Sequence, residues 1–165
     1  DRRLYALYEA LKKGETVESL HKLSSIDNWF LDHLRMIYEV EKKILDEKLD
    51  AENMNLAKKY GFSDKTIARL VGSDEIAIAE RRIGYGIVPA IKQIDTLAGE
   101  FDAETNYLYL TDHGEFNDVK PLGKDAVAVI GSGPYAIGSS VEFDWSAVNT
   151  AKTLREKGRK TIIIN

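Results

Sequence analysis

The sequence of 165 residues contains no cysteine, which excludes disulfide bonds and thiolate ligands for a metal ion. Its three histidines, His21, His33 and His113, have no second ligand three or four residues further on, so we expect no metal site. Basic residues are not in excess either, with 23 Lys and Arg against 27 Asp and Glu and a net charge of −4. This balance gives no general attraction to polyanions, and we expect neither nucleic acid nor a membrane as a partner.

Long apolar runs are also missing, since none approaches the roughly 18 to 20 residues that span a bilayer. The first residues, Asp1 to Leu4, lack the apolar stretch of a signal peptide. These absences predict a cytoplasmic protein. The hydrophobic share of 44% and the charged share of 30% are typical of a globular chain that buries a core.

Apolar residues at helical spacing dominate the first hundred residues. Leu4, Leu7 and Leu11 predict a first helix, and Thr16 is the expected cap of a second. The strongest pattern starts after Asp27, the expected cap of a third helix, and continues for about five turns to Leu45. On its charged face, Glu39 and Lys43 have the spacing of an ion pair.

Three shorter helices are predicted to follow, capped by Asp50, Ser63 and Ser73. Helices of two or three turns are marginal alone, so they must pack against one another. Residues 1–110 are therefore predicted to form a compact all-helical domain. Residues 111–124, which are rich in Asp, Gly, Asn, Pro and Lys, have the composition of a linker.

The remaining residues, 125–165, alternate strand and helix patterns. An apolar run at 126–130, a helix reaching Lys157 and a second apolar run at 161–164 predict one β-α-β unit with parallel strands. The fold class is thus mainly α with a partial α/β segment. Because one such unit cannot cover both faces of its sheet, we expect the α/β domain to be truncated at the end of this sequence.

Glycines mark the turn between the first of these strands and its helix. Gly131, Gly133, Pro134 and Gly138 occur in GSGPYAIG, which fits the G-x-G-x-x-G/A pattern of dinucleotide-binding modules. Pro134 removes one N–H donor, however, and Asn165 stands where the pattern expects an acid. The glycines also suit a purely structural role, because they allow strand, turn and helix to pack closely.

A second open interpretation concerns residues 56–83, whose cadence resembles a DNA-binding helix-turn-helix. Positions 56 to 85 contain six basic residues and four acids, a smaller basic surplus than a recognition helix normally brings to DNA. The basic residues are Lys58, Lys59, Lys65, Arg69, Arg81 and Arg82. The long helix after Asp27 offers a third possibility. Its apolar stripe predicts a core helix and, where uncovered, a protein interface with candidate residues Trp29, Phe30, Leu34, Ile37 and Tyr38.

Several motifs resemble one known family, the large subunits of carbamoyl phosphate synthetase. Similar to the helical oligomerisation (connection) domain are IDNWFL at 26–31, KKYGFSD at 58–64, KQIDTLAGEF at 92–101 and YLY at 107–109. Similar to the pre-ATP-grasp opening of the second synthetase half are GSGPYAIG at 131–138, VEFDW at 141–145 and LREKGRKTIIIN at 154–165.

The resemblance implies that the chain connects the two synthetase halves and mediates oligomerisation of large subunits, without catalytic residues or a cofactor of its own. The parent would be a ligase that uses ATP, Mg²⁺ and K⁺, with a small glutaminase subunit, to make carbamoyl phosphate for arginine and pyrimidine synthesis. Ser140 and Glu142 match positions that line the family's carbamate tunnel. Ala136 stands where the family has an arginine, and Ser146 where a cysteine is common.

Overall fold

The computed structural model describes residues 2–102, 107–131, 133 and 141–164, with the side chains of residues 141–143 outside the description. The chain divides into two units, one ending at Asp118 and the other beginning at Val119. We call them the helical unit and the α/β unit. The predicted class, mainly α with a partial α/β segment, is confirmed.

Six helices in the described residues build the helical unit: α1 Arg3–Lys12, α2 Val17–Ser24, α3 Asn28–Asp46, α4 Ala51–Lys59, α5 Asp64–Val71 and α6 Glu75–Gly84. Side chains of Thr16, Asp27, Asp50 and Ser63 accept hydrogen bonds from amides in the first turns of α2, α3, α4 and α5. Each of these four predicted caps is confirmed, because a capping oxygen satisfies an amide that has no partner within its helix.

The predicted cap Ser73 is wrong by one residue. Asp74 caps α6, with its Oδ1 accepting from the amide of Ala77 at 2.9 Å. Gly72 ends α5 in the left-handed conformation, at φ +68°, and the amide of Ser73 donates to the carbonyl of Ala68. Ser73 thus belongs to the C-terminal motif of the preceding helix.

The long helix α3 joins two apolar cores. Its first half contributes Leu31 to a core shared with α1 and α2, which also contains Leu7, Leu11, Val17 and Leu20. Its second half contributes Val40 and Ile44 to a larger core with α4, α5 and α6, which also contains Leu49, Met54, Ala57, Phe62, Ile67, Ala68 and Ile78. The helical unit is therefore organised around α3.

The charged side of α3 differs from the predicted pairing of Glu39 with Lys43. Glu39 accepts a hydrogen bond from Arg35, one turn earlier, and the Lys43 ammonium lies 4.0 Å from a carboxylate oxygen of Glu47. All these pairs have the same i,i+4 spacing, so helical geometry alone does not select among them.

A small antiparallel sheet completes the helical unit. Strand β1, Ala90–Gln93, pairs with β2, Leu108–Thr111, so that Ala90 lies opposite Thr111. On the other edge of β1, Asn117 Oδ1 accepts from the amide of Ile91 at 2.7 Å. Asp118 Oδ2 accepts from the amide of Gln93 at 2.9 Å. Asn117 and Asp118, in the middle of the predicted linker, are thus bonded to β1.

The α/β unit contains β3 Val127–Ile130, α7 Val141–Glu156 and β4 Thr161–Ile164. The two strands are parallel, with Val127 opposite Thr161, which confirms the predicted β-α-β arrangement. Val129 of β3 packs with the small residues Ala147 and Ala151 of α7. In the described parts of the chain, every helix is too short or too polar to serve as a membrane-spanning segment.

Candidate functional site

An aromatic surface lies at the start of α3. Trp29 and Phe30 are 60% and 59% exposed, although Asp27 caps the helix directly before them. Their rings meet edge to face, with centroids 4.9 Å apart. The His33 ring packs on Trp29 at 3.9 Å, and its Nδ1 lies 2.7 Å from the Trp29 carbonyl oxygen. The indole therefore contacts two neighbouring rings while most of its surface stays exposed.

Met36 extends this surface, since it is exposed and follows Trp29 by seven residues on the same side of the helix. We call Trp29, Phe30, His33 and Met36 together the α3 stripe. Met36 was not among the interface candidates from the sequence. Its helical spacing from Trp29 was the signal that could have identified it.

The other three interface candidates point into the cores of the helical unit. Leu34 and Tyr38 pack against the core with α1 and α2, and the Tyr38 ring meets Tyr8 edge to face. Ile37 packs against the larger core. The structure thus places two of the five candidates, Trp29 and Phe30, on the open surface.

Charges of both signs border the α3 stripe. Arg35 donates to Asp32 on one side, at 3.1 Å, and to Glu39 on the other. All three side chains are exposed. The border therefore has no block of like charge that would repel an identical surface.

A second exposed apolar surface lies on α6. Ile76 and Ile83 are 71% and 58% exposed and lie seven residues apart on one side of the helix. We call these two residues the α6 pair. It has no aromatic residue, which distinguishes it from the α3 stripe.

Asp64, at the start of α5, holds two cations in a poorly exposed site. Arg82 donates to its carboxylate through Nε and Nη2, the latter at 2.9 Å from Oδ2, and Lys58 donates to Oδ1 at 3.1 Å. Arg82 and Lys58 also donate to the carbonyls of Ile87 and Phe62. All three charged side chains are at most 14% exposed. This network ties α4, α5 and α6 together.

Electrostatics favour the ionised form of two carboxylates in the helical unit. Burial alone raises the pKa of Asp64, but the hydrogen bonds from Arg82 and Lys58 outweigh it, so the pKa is lowered. Glu41 behaves alike: burial opposes its charge, yet hydrogen bonds from Lys12 and Tyr8 lower its pKa. Lys12 Nζ lies 2.7 Å from Oε1 of Glu41, and the Tyr8 hydroxyl lies 2.6 Å from Oε2.

The same network bears on the helix-turn-helix interpretation. Two of its six basic residues, Lys58 and Arg82, bind Asp64 within the protein. Their charge is balanced internally, which reduces the basic surface that a DNA backbone would meet. No local sequence pattern predicts this ion pair, because Asp64 and Arg82 are 18 residues apart.

The glycine loop follows β3 in the α/β unit. The Gly131 amide donates to the Ile164 carbonyl at 2.7 Å, which extends the strand pairing, and Gly133 has a positive φ of 82°. Pro134, Gly138 and Ser140 lie outside the described residues. Glu142 is in the first turn of α7, but its side chain is outside the description. The side chains of both residues that match tunnel positions, Ser140 and Glu142, therefore lie outside the described part of the chain.

The chain contains two units of different architecture in a fixed order. A helical unit with an uncovered aromatic stripe comes first, and a Rossmann-like β-α-β unit follows it in the same chain. Neither interpretation of a single motif accounts for that order, since a helix-turn-helix or a glycine loop concerns only one of the two units.

Comparison with protein-family models accounts for both units. Residues 1–86 match the model described as carbamoyl-phosphate synthetase large chain, oligomerisation domain. Residues 123–165 match the carbamoyl phosphate synthase preATP-grasp domain. The chain belongs to the carbamoyl-phosphate synthetase large-chain family.

Curated proteins from distant eukaryotes are similar over essentially the whole chain. The arginine-specific large chain of mitochondrial carbamoyl phosphate synthase from Neurospora crassa is 47% identical over 100% of this chain. The mitochondrial carbamoyl-phosphate synthase [ammonia] of Rattus norvegicus is 43% identical over 99%, and the multifunctional protein pyrABCN of Emericella nidulans is 44% identical over 100%. The chain spans 14%, 11% and 7% of the length of these relatives.

Proposed function

We propose that this chain connects the two synthetase halves of a carbamoyl phosphate synthase large chain and that its helical unit holds large chains together. The observation that carries the proposal is the order of the two family matches, oligomerisation domain first and preATP-grasp domain second. The exposed α3 stripe supports the association role, because aromatic residues are enriched at the centres of protein interfaces.

Association between copies is tested by mixing the chain grown in ¹⁵N medium with unlabelled chain. Native mass spectrometry should then find dimers of three masses, and the intermediate mass should appear only after mixing. If each preparation and the mixture contain monomers alone at micromolar concentration, the association part of the proposal is wrong.

The synthetase activity is proposed for the parent protein, since the chain is a small part of each relative. That parent would be an ATP-dependent ligase that uses Mg²⁺ and K⁺, joins a small glutaminase subunit and works in the cytoplasm. Its compartment needs a direct test by imaging of the tagged full-length protein, because the Neurospora and rat relatives carry mitochondrial names.

We further propose that the isolated chain does not catalyse the reaction. ATP, Mg²⁺, K⁺, bicarbonate and ammonia are supplied to the purified chain, and ADP and carbamoyl phosphate are measured. Neither product should exceed the level of the protein-free control. ADP formation that scales with chain concentration and survives repurification would overturn this proposal.

For Ser140 and Glu142, the proposed role is the lining of a carbamate tunnel, supported by the preATP-grasp match that covers both residues. In the full-length large chain, Glu142→Gln should slow carbamoyl phosphate formation several-fold. Glu156→Gln, at the opposite end of α7, is the matched control and should have little effect. A Glu142→Gln change that lowers only the stability of the α/β unit would instead indicate stabilisation of the helix dipole.

A further inference from the structure

Several apolar side chains of the helical unit are exposed within the residues that match the oligomerisation domain, Leu4, Tyr5 and Leu23 among them. Association therefore has several candidate positions, of which the α3 stripe and the α6 pair are two that each lie on one side of a single helix. They differ in chemistry: the α3 stripe contains tryptophan, phenylalanine, histidine and methionine, whereas the α6 pair contains two isoleucines.

We infer that a second copy of this chain docks on the α3 stripe, with Trp29 as the central contact. This inference rests on the proposed association function and adds the surface that carries it. Tryptophan is among the residues that contribute most to binding when they are buried at the centre of an interface. The Trp29 indole already contacts the rings of Phe30 and His33, and these contacts reduce the side-chain freedom that docking would remove.

The size of the α3 stripe fits the centre of an interface rather than a whole one. Aromatic side chains bury about 150–250 Å² each, so at their observed exposure Trp29 and Phe30 together offer roughly 200–300 Å². A stable interface covers about 800 Å² per partner. The remaining area would come from the surrounding polar border.

That border suits an identical partner. Closed homodimers are commonly two-fold symmetric, so each residue on one copy meets the reciprocal residue on the other. Trp29 and Met36 are about 10 Å apart along the axis of α3. When two α3 helices meet antiparallel, Trp29 of each copy can therefore approach Met36 of the other. In that register Arg35 lies about 3 Å along the axis from Asp32 of the second copy, close enough for an ion pair between the two copies.

The test compares one charge substitution on each surface by sedimentation equilibrium of the full chain. Trp29→Glu should raise the dimer dissociation constant about 10- to 100-fold, in line with the loss of a central aromatic contact. Ile76→Glu introduces the same charge at a similarly exposed helix position and should change it less than about twofold. Phe30→Glu repeats the test with Trp29 intact, and melting curves check that all variants fold.

Each outcome decides a separate point. Weakening by Trp29→Glu and Phe30→Glu alone supports the α3 stripe. A wild-type dimer that both of these variants leave intact overturns the inference while the association function stands, and weakening by Ile76→Glu alone assigns association to the α6 pair. A wild-type chain that stays monomeric overturns the association function, and the inference falls with it.

Discussion

Asp64 shows how one carboxylate can decide the stability of several short helices. It is the shared partner of Arg82 and Lys58, and all three side chains are largely removed from water. Removing one member of a buried ion network leaves the others with uncompensated charge, which is far costlier than losing a surface pair. Loss of the Asp64 carboxylate is therefore expected to destabilise the helical unit more than loss of an exposed partner.

We predict that Asp64→Asn lowers the free energy of unfolding by about 2–3 kcal/mol, because two poorly exposed cations lose their counter-charge. Urea unfolding followed by helical circular dichroism measures the change. Asp32→Asn is the matched control, since Asp32 pairs with Arg35 in an exposed position, and it should cost less than about 0.5 kcal/mol. Equal losses for both variants would contradict this interpretation of the Asp64 network.

The lowered pKa values of Asp64 and Glu41 predict how stability depends on pH. Unfolding returns these groups to ordinary values of about 3.9 and 4.3, so the unfolded state binds more protons in acid. The free energy of unfolding should stay level above about pH 5 and fall as the pH drops through about 4 towards the folded-state values. Urea unfolding from pH 3 to 7 measures this, and Asp64→Asn should show a shallower fall than the wild type.

Of the helix caps predicted from the sequence, Ser63 is correct and Ser73 is wrong. Ser63 and Asp74 each accept from an amide three residues ahead, whereas the amide of Ser73 closes the preceding helix. Asp74→Ala should therefore lower the free energy of unfolding by about 1 kcal/mol, and Ser73→Ala should have almost no effect. The same urea measurement decides this, and the reverse order would return the cap to Ser73.

The hairpin of β1 and β2 depends on a close approach at Gly114. A methyl group added there would lie 2.6 Å from Cβ of Ala90, which is far inside van der Waals contact. Gly114→Ala should cost about 1–3 kcal/mol of hairpin stability and speed amide exchange in Ala90–Gln93. Gly84→Ala is the control at an open helix position, and it should leave exchange in β1 unchanged.

Periodicity and capping residues predict most helices from the sequence, but they do not predict which strands pair with each other. The caps at Thr16, Asp27, Asp50 and Ser63 follow from short-range chemistry, so they could be predicted. The pairing of β1 with β2 could not, since a contact between Ala90 and Thr111 joins positions far apart in the chain. The sequence therefore predicts only helices for residues 1–110, whereas β1 and most of β2 lie within them.

For the whole molecule, spacing showed which residues share a face of α3 but not which faces other helices cover. Leu34, Ile37 and Tyr38 have the same apolar character as Trp29 and Phe30, yet α1, α2 and α4 to α6 partly cover only the first three. Burial depends on the packing of separate helices, which no local pattern encodes. The family resemblance, in contrast, used residues along the whole chain, and the matches of residues 1–86 and 123–165 confirm it.

The proposed association of the helical unit with a second copy of itself can be measured without any substitution. Light scattering over a wide dilution series gives the mass of the purified wild-type chain. This mass should rise from the 18.5 kDa of the monomer towards twice that value as concentration increases. A mass that remains at 18.5 kDa at the highest concentration would contradict it.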